Sequence, residues 1–140
     1  NGAVWEDACV EFFSIPAGDG IYYNVECNCA GILLIGAGAG RENREHAPQE
    51  VMDKVQRWSS LGRQSFEERV GECNWELALV IPYSAFFKHQ ITSLDGKTVR
   101  ANFYKCGDKL QTPHFLSWNP IALEKPNFHC PEFFGTLNFE

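Results

Sequence analysis

No apolar run in this chain approaches the ~18 residues that a membrane-spanning helix needs. Basic runs are missing too. Twelve Lys and Arg stand against 18 Asp and Glu, for a net charge of −6. That balance lacks the electrostatic footprint of a nucleic-acid binder. It also argues against docking on, or inserting into, an anionic membrane. A neutral ligand suits it better than an anionic one. The glycine-rich Gly36-Ala37-Gly38-Ala39-Gly40 lacks the Gly-Lys-Ser/Thr ending and the closely following helix of a phosphate loop. It reads as a flexible turn. Cys27-x-Cys29 lacks the two-residue spacer of a zinc knuckle or redox motif.

What remains is the composition of an ordinary globular domain. At 140 residues, 44% apolar and 21% charged, the chain is too apolar to be disordered. It is long enough to bury a core without metal or disulfide staples. One domain over 1–140 is expected. The six cysteines, at 9, 27, 29, 73, 106 and 130, lie mostly inside apolar runs. They read as free, buried thiols acting as small hydrophobes. Disulfides and a metal site are the alternatives.

Strand-like runs separated by Gly and Pro dominate, with little helix. Strands are expected over 9–14, 21–28, 32–35, 55–60, 73–81, 99–106, 114–118 and 133–139. Residues 41–49 read as a long polar loop. Helical turns are expected at 48–54, opened by Pro48, and at 83–87. Residues 94–97 form a turn. The run 73–81 reads as the central strand, with Trp75, Leu77, Leu79 and Ile81 on one face. The fold class is all-β, an antiparallel β-sandwich of jelly-roll or immunoglobulin-like type with a few short helical turns.

Alternation assigns the polar groups to faces. Glu11 shares a face with Cys9 and Phe13, opposite Val10 and Phe12. Tyr22, Asn24, Glu26 and Asn28 align opposite Tyr23, Val25 and Cys27. Arg100, Asn102 and Tyr104 align opposite Val99, Ala101 and Phe103. Asn, Glu, Arg and Tyr are rigid or multidentate hydrogen-bonding groups, unlike the Lys, Glu and Thr of a solvated face. Together they could line one sheet face that binds a polyhydroxylated ligand. Trp5 and Trp118, at strand ends, could stack on a sugar ring. The bland alternative is a sheet with one wet face.

The run Trp5-Glu6-Asp7-x-x-Val10-Glu11-Phe12-Phe13 resembles the W-x-D-x-x-V-E-x-F signature of family 9 carbohydrate-binding modules and their bacterial relatives. Further matches follow in order. They are Tyr22-Tyr23-Asn24-Val25-Glu26-x-Asn28, Trp75-Glu76-Leu77-Ala78 to Ile81-Pro82, and Arg100-Ala101-Asn102-Phe103-Tyr104-Lys105. Leu116-Ser117-Trp118 and Phe128-His129-x-Pro131-Glu132-Phe133-Phe134-Gly135 complete the series. The resemblance implies a β-sandwich that binds a sugar without cleaving it, in the best-known members the reducing end of a glucan or xylan chain. It implies two clamping tryptophans, Trp5 and Trp118, and a sugar-binding glutamate, Glu11. Association with polysaccharide degradation, at a periplasmic, cell-surface or secreted location, follows from the same likeness.

Some members carry calcium, but Asp7 and Asp19 are isolated acids and no ligand set is assigned. Cys130 stands where the family's His-x-Pro-Glu stretch is expected to hold a basic residue. Family domains also carry strands ahead of the Trp–Glu motif, so an upstream segment is expected to complete the fold.

Three other readings compete with sugar binding. A glycoside-processing enzyme would use Glu11 and Glu26 as paired carboxylates, about 5–5.5 Å apart for retention or about 6.5–9.5 Å for inversion. A haem or metal domain would need axial ligands from Met52, His46, His89, His114 or His129. These five fall in loops, turns or strand edges without ligand-like spacing. The last is a purely structural or interaction sandwich.

Overall fold

A computed structural model describes all 140 residues, 1–140. Nine strands form two antiparallel sheets. They are β1 (Cys9–Ile15), β2 (Tyr22–Asn28), β3 (Leu33–Gly38), β4 (Glu45–His46), β5 (Gln56–Ser59), β6 (Leu77–Val80), β7 (Thr98–Gly107), β8 (His114–Ser117) and β9 (Gly135–Asn138). The larger sheet runs β4-β3-β2-β1-β7-β8, and β9 shares the outer edge of β7 with β8. Its register joins Glu11 to Glu26 on one side and to Tyr104 on the other. β5 and β6 pair only with each other.

The two sheets form an unequal antiparallel sandwich. Every residue of β2 is buried, so both faces of the large sheet are covered at its centre. On one face Val25, Cys27, Leu33 and Ile35 pack under the one-turn helix α1 (Gln49–Met52), with Leu77, Leu79 and Ile81 from the β6 side. Beside them Tyr23, Val99 and Ala101 pack against Phe86 and Leu94. The opposite face holds smaller clusters, Val4 with Cys9, Leu34 and Cys106, and Phe13 with Tyr22, Tyr104 and Phe134. Between these the second face opens into a cavity.

Three sequence expectations change. The glycine-rich stretch is not a turn, because Gly36, Ala37 and Gly38 belong to β3 and pair with Asn24, Tyr23 and Tyr22. The loop expected over 41–49 contains a two-residue strand, β4, laid against that glycine segment. Residues 73–81 do not form the central strand. Only Leu77–Val80 is extended and paired, and it sits in the two-stranded ribbon. The alternation there is real, but Val80 and Trp58 face solvent, and Trp75 is only half-buried. All six cysteines are free, five buried and Cys73 exposed.

Candidate functional site

The cavity lies on the face shared by Glu11, Asn24 and Glu26, which adjacent strands bring side by side. Its volume is about 320 Å³. Trp5 forms one wall from a 3-10 turn at Val4–Glu6. That turn is tied to the end of β7, where the Asp108 N–H donates to the Trp5 carbonyl (3.0 Å) and the Lys109 N–H to that of Glu6 (3.0 Å). Phe115 and Phe128 form the other aromatic wall. Phe128 is held flat on Tyr104, with ring centroids 4.2 Å apart, and Phe115 meets it edge-on.

The floor is a chain of hydrogen bonds. Arg44 donates from Nε (3.1 Å) and Nη2 (2.7 Å) to Asn24 Oδ1. The same guanidinium donates to the Tyr22 and Gly40 carbonyls and lies 4.0 Å over the Tyr22 ring. With its oxygen so engaged, the Asn24 amide turns its Nδ2 to Glu26 Oε1, at 2.8 Å. Gly36 makes room for this arrangement. A Cβ there would lie 2.7 Å from Asn24 Oδ1. Glu26 Oε2 is buried without any partner.

Glu11, only 6% exposed, accepts from Cys106 Sγ at 3.0 Å. Burial first, then the negative potential of Glu26, holds its carboxyl well above the usual carboxylate range. Burial also raises Glu26, to about 7, against the opposing pull of Asn24 and Arg44. His129 closes the rim, with Nδ1 2.8 Å from the Tyr22 hydroxyl. Burial, Arg44 and Arg41 lower its pKa to about 4, so the ring is neutral at neutral pH. A tyrosine whose own pKa burial raises to about 12 donates to that Nδ1, which leaves the ring proton on Nε2. The cavity therefore offers donors at one side, acidic oxygens on the floor, and flat apolar walls.

The model of carbohydrate-binding family 9 matches residues 1–139. The chain belongs to that family. This family 9 chain is also similar to a crystal structure of a "putative carbohydrate-binding protein" from Bacteroides uniformis ATCC 8492, at 70% identity and a TM-score of 0.96. That match covers 100% of this chain and 64% of the other, so the chain spans just under two-thirds of its relative's length. Nothing matches among curated proteins.

Of the site residues expected in this family 9 sequence, Trp5, Glu11, Asn24 and Glu26 line the cavity together. The others lie elsewhere. Asn28 turns its Oδ1 to the N–H groups of Ala30 and Ile32 in the tight turn after β2. Arg100 donates to the Phe134 carbonyl (3.1 and 2.5 Å), securing the segment before β9. Asn102 is fully buried and clasps Asn119 through both its N–H and its carbonyl. Tyr104 lies beneath Phe128 and donates its hydroxyl to that residue's carbonyl. Trp118 sits off the end of β8, edge-on to Phe103, whose side chain belongs to the opposite face.

Arg44, His129 and Phe115 were not singled out for this site from the sequence. Arg44 lies in the polar stretch 41–49 and carries no signal of its own. Phe115 could have been found by parity, since it opposes Cys106 across β8–β7. Neither isolated acid named for calcium, Asp7 or Asp19, belongs to a group of three or more His, Cys, Asp or Glu ligands. The one cluster of three or more metal-ligating side chains carries two thiols, and Asp19 is bound to His89 and to the Ile21 N–H. Met52 is a core residue, and His89 and His114 pair with Asp19 and Lys105.

Proposed function

We propose that the cavity binds one end of a mono- or oligosaccharide, without cleaving it. Trp5 and Phe115 would take the flat C–H faces of the ring, while Glu26, Asn24, Glu11 and His129 would take its hydroxyls. The observation that carries this is Glu26 Oε2, a buried acceptor with no partner beside an open cavity. Leaving such a group unpaired costs about 1–3 kcal/mol, and a ligand hydroxyl would recover it once a small turn of the Glu26 side chain opens that oxygen to the cavity. The cavity lies at the small end of the roughly 300–1,000 Å³ of ligand pockets, a size that suits one or two sugar rings. Family membership supports the same reading. In this revised site Phe115 takes the role the sequence suggested for Trp118.

Calorimetry with glucose, xylose, cellobiose and xylobiose tests the proposal. Weak to moderate binding to at least one is expected. Glu26→Gln and Trp5→Ala should each weaken it by about tenfold or more, consistent with 1–2 kcal/mol per lost contact. No detectable heat with any of them, for a folded protein, would sink it. One observation favours a second reading. Glu11 and Glu26 are neighbouring carboxyls with pKa values pushed apart, as an acid–base pair requires. Release of reducing sugar by the purified chain, abolished by Glu11→Gln, would establish that reading instead.

A further inference from the structure

Behind the sugar-facing floor lie three metal-ligating side chains. Cys9 opposes Cys106 directly across β1 and β7, and Glu11 is the next residue of β1 on the same face. The two sulfurs and a carboxylate oxygen all lie within 4.8 Å of one another. The three residues are 0%, 1% and 6% exposed. We propose that Cys9, Cys106 and Glu11 form a site for a thiophilic divalent cation, Zn²⁺ foremost, with a fourth position open to the cavity.

Geometry supports this first. Zinc bonds of about 2.3 Å to sulfur and about 2.0–2.2 Å to oxygen put tetrahedral neighbours roughly 3.5–3.8 Å apart. The donors need to shift by about 1 Å at most, the wider pairs drawing in and Cys106 Sγ and Glu11 Oε1 easing apart from 3.0 Å. They stand on two paired central strands, so the sheet register fixes the triangle before any ion arrives. Glu11 and Cys106 also line the cavity, which places the open coordination position there.

No fixed cation occupies the site. The ion pairs of the molecule join Lys88 to Glu45, His89 to Asp19 and Lys109 to Glu6. None reaches Glu11 or Glu26. The nearby Arg44 spends its donors on Asn24 and backbone carbonyls. Glu26, 4% exposed, keeps a buried oxygen unpartnered on the strand next to Glu11. Coordination would take Cys9, Cys106 and Glu11 in their deprotonated forms, so zinc binding would release protons to solvent. The two sulfurs set the selectivity. Calcium and magnesium want all-oxygen shells and would not compete.

The test needs no sugar, so its outcome is separate from that of the sugar-binding reading. The purified, reduced chain is titrated with Zn²⁺ by calorimetry and native mass spectrometry, and with Co²⁺ by absorbance. One ion per chain and a thiolate-to-cobalt band are expected. X-ray absorption of the zinc form should give two sulfurs at about 2.3 Å. Cys9→Ser and Cys106→Ser should each remove the band. They should weaken zinc by more than the roughly 10–100-fold that a lost outer-shell partner costs. Cys73→Ser, at the exposed cysteine, should leave both unchanged. If a serine variant fails to fold, the sulfur count on the unaltered protein decides. No thiolate band on the folded chain, or a band that survives both substitutions, overturns the site.

Discussion

The Asn24 amide is the hinge on which the site's geometry turns. Arg44 fixes its oxygen, so its nitrogen must face Glu26, and Glu26 is left with one buried oxygen that has no partner. Gly36 sustains this through absence. A methyl group there would stand 2.7 Å from Asn24 Oδ1, and Asn24 can yield only by straining the two Arg44 bonds that hold it. Gly36→Ala is therefore expected to destabilise the fold by about 1–3 kcal/mol through overpacking. It should also weaken sugar binding, because a displaced amide releases Glu26. Urea denaturation with an unchanged slope, together with calorimetry on the folded fraction, checks both effects. An alanine variant with wild-type midpoint and affinity would show that Asn24 need not sit where it does. Period-two alternation was enough to bring Glu11, Asn24 and Glu26 to one face from sequence alone. It could not reveal that glycine was needed beneath them, because the clash is between residues on different strands.

At the scale of elements, parity decides which aromatic residue of β8 meets the ligand. Phe115 opposes Cys106 and Ser117 opposes Tyr104, so both belong to the cavity face. Leu116 and Trp118 fall on the other. The proposal then separates two similar substitutions. Phe115→Ala should lower sugar affinity by about tenfold, within the range of a lost aromatic contact. Trp118→Ala should leave affinity unchanged, at some cost in stability from its lost contact with Phe103. Equal losses from both would move the ligand toward the rim of β8. The strands with clean alternation and Gly/Pro ends, β1, β2 and β7, were legible in the sequence. β4 was not, since two residues carry no period. β6 showed the right period but not its rank, because one buried face looks the same at the edge of a small ribbon as at the centre of a large sheet. β3 was truncated because glycine is depleted in strands. Here its bare backbone runs beside the large side chains of β2. The site roles of two residues from connecting segments, Arg44 and His129, were illegible for a further reason. Their partners lie far away in sequence and are brought near only by the folded sheet.

For the molecule as a whole, one sheet face is sealed by the ribbon and helical turns, and the other carries the opening. His129, at that opening, is uncharged at neutral pH. Tyr22 faces its Nδ1, and Arg44 and Arg41 oppose a second positive charge nearby. In the unfolded chain its pKa returns to the ordinary value near 6.5. Between that value and about 4 the unfolded state binds a proton that the folded state refuses. Stability therefore increases with pH across this window and its His129 contribution is level above about 6.5. The buried carboxyls have the opposite slope, because their pKa values are raised on folding. Comparing wild type with His129→Gln cancels them, since both proteins carry the same carboxyls. Gln keeps a hydrogen-bonding partner for Tyr22 and cannot take up the proton. Relative to this variant, the wild type should lose on the order of 2 kcal/mol as pH falls from about 6.5 to 4, and nothing from about 7 to 8. Denaturant midpoints of both proteins across that range give the difference directly. A difference that stays flat through the acid window would mean that His129 accepts its proton in the folded state. The donor pattern assigned to the rim would then have to be redrawn, with both ring nitrogens donating.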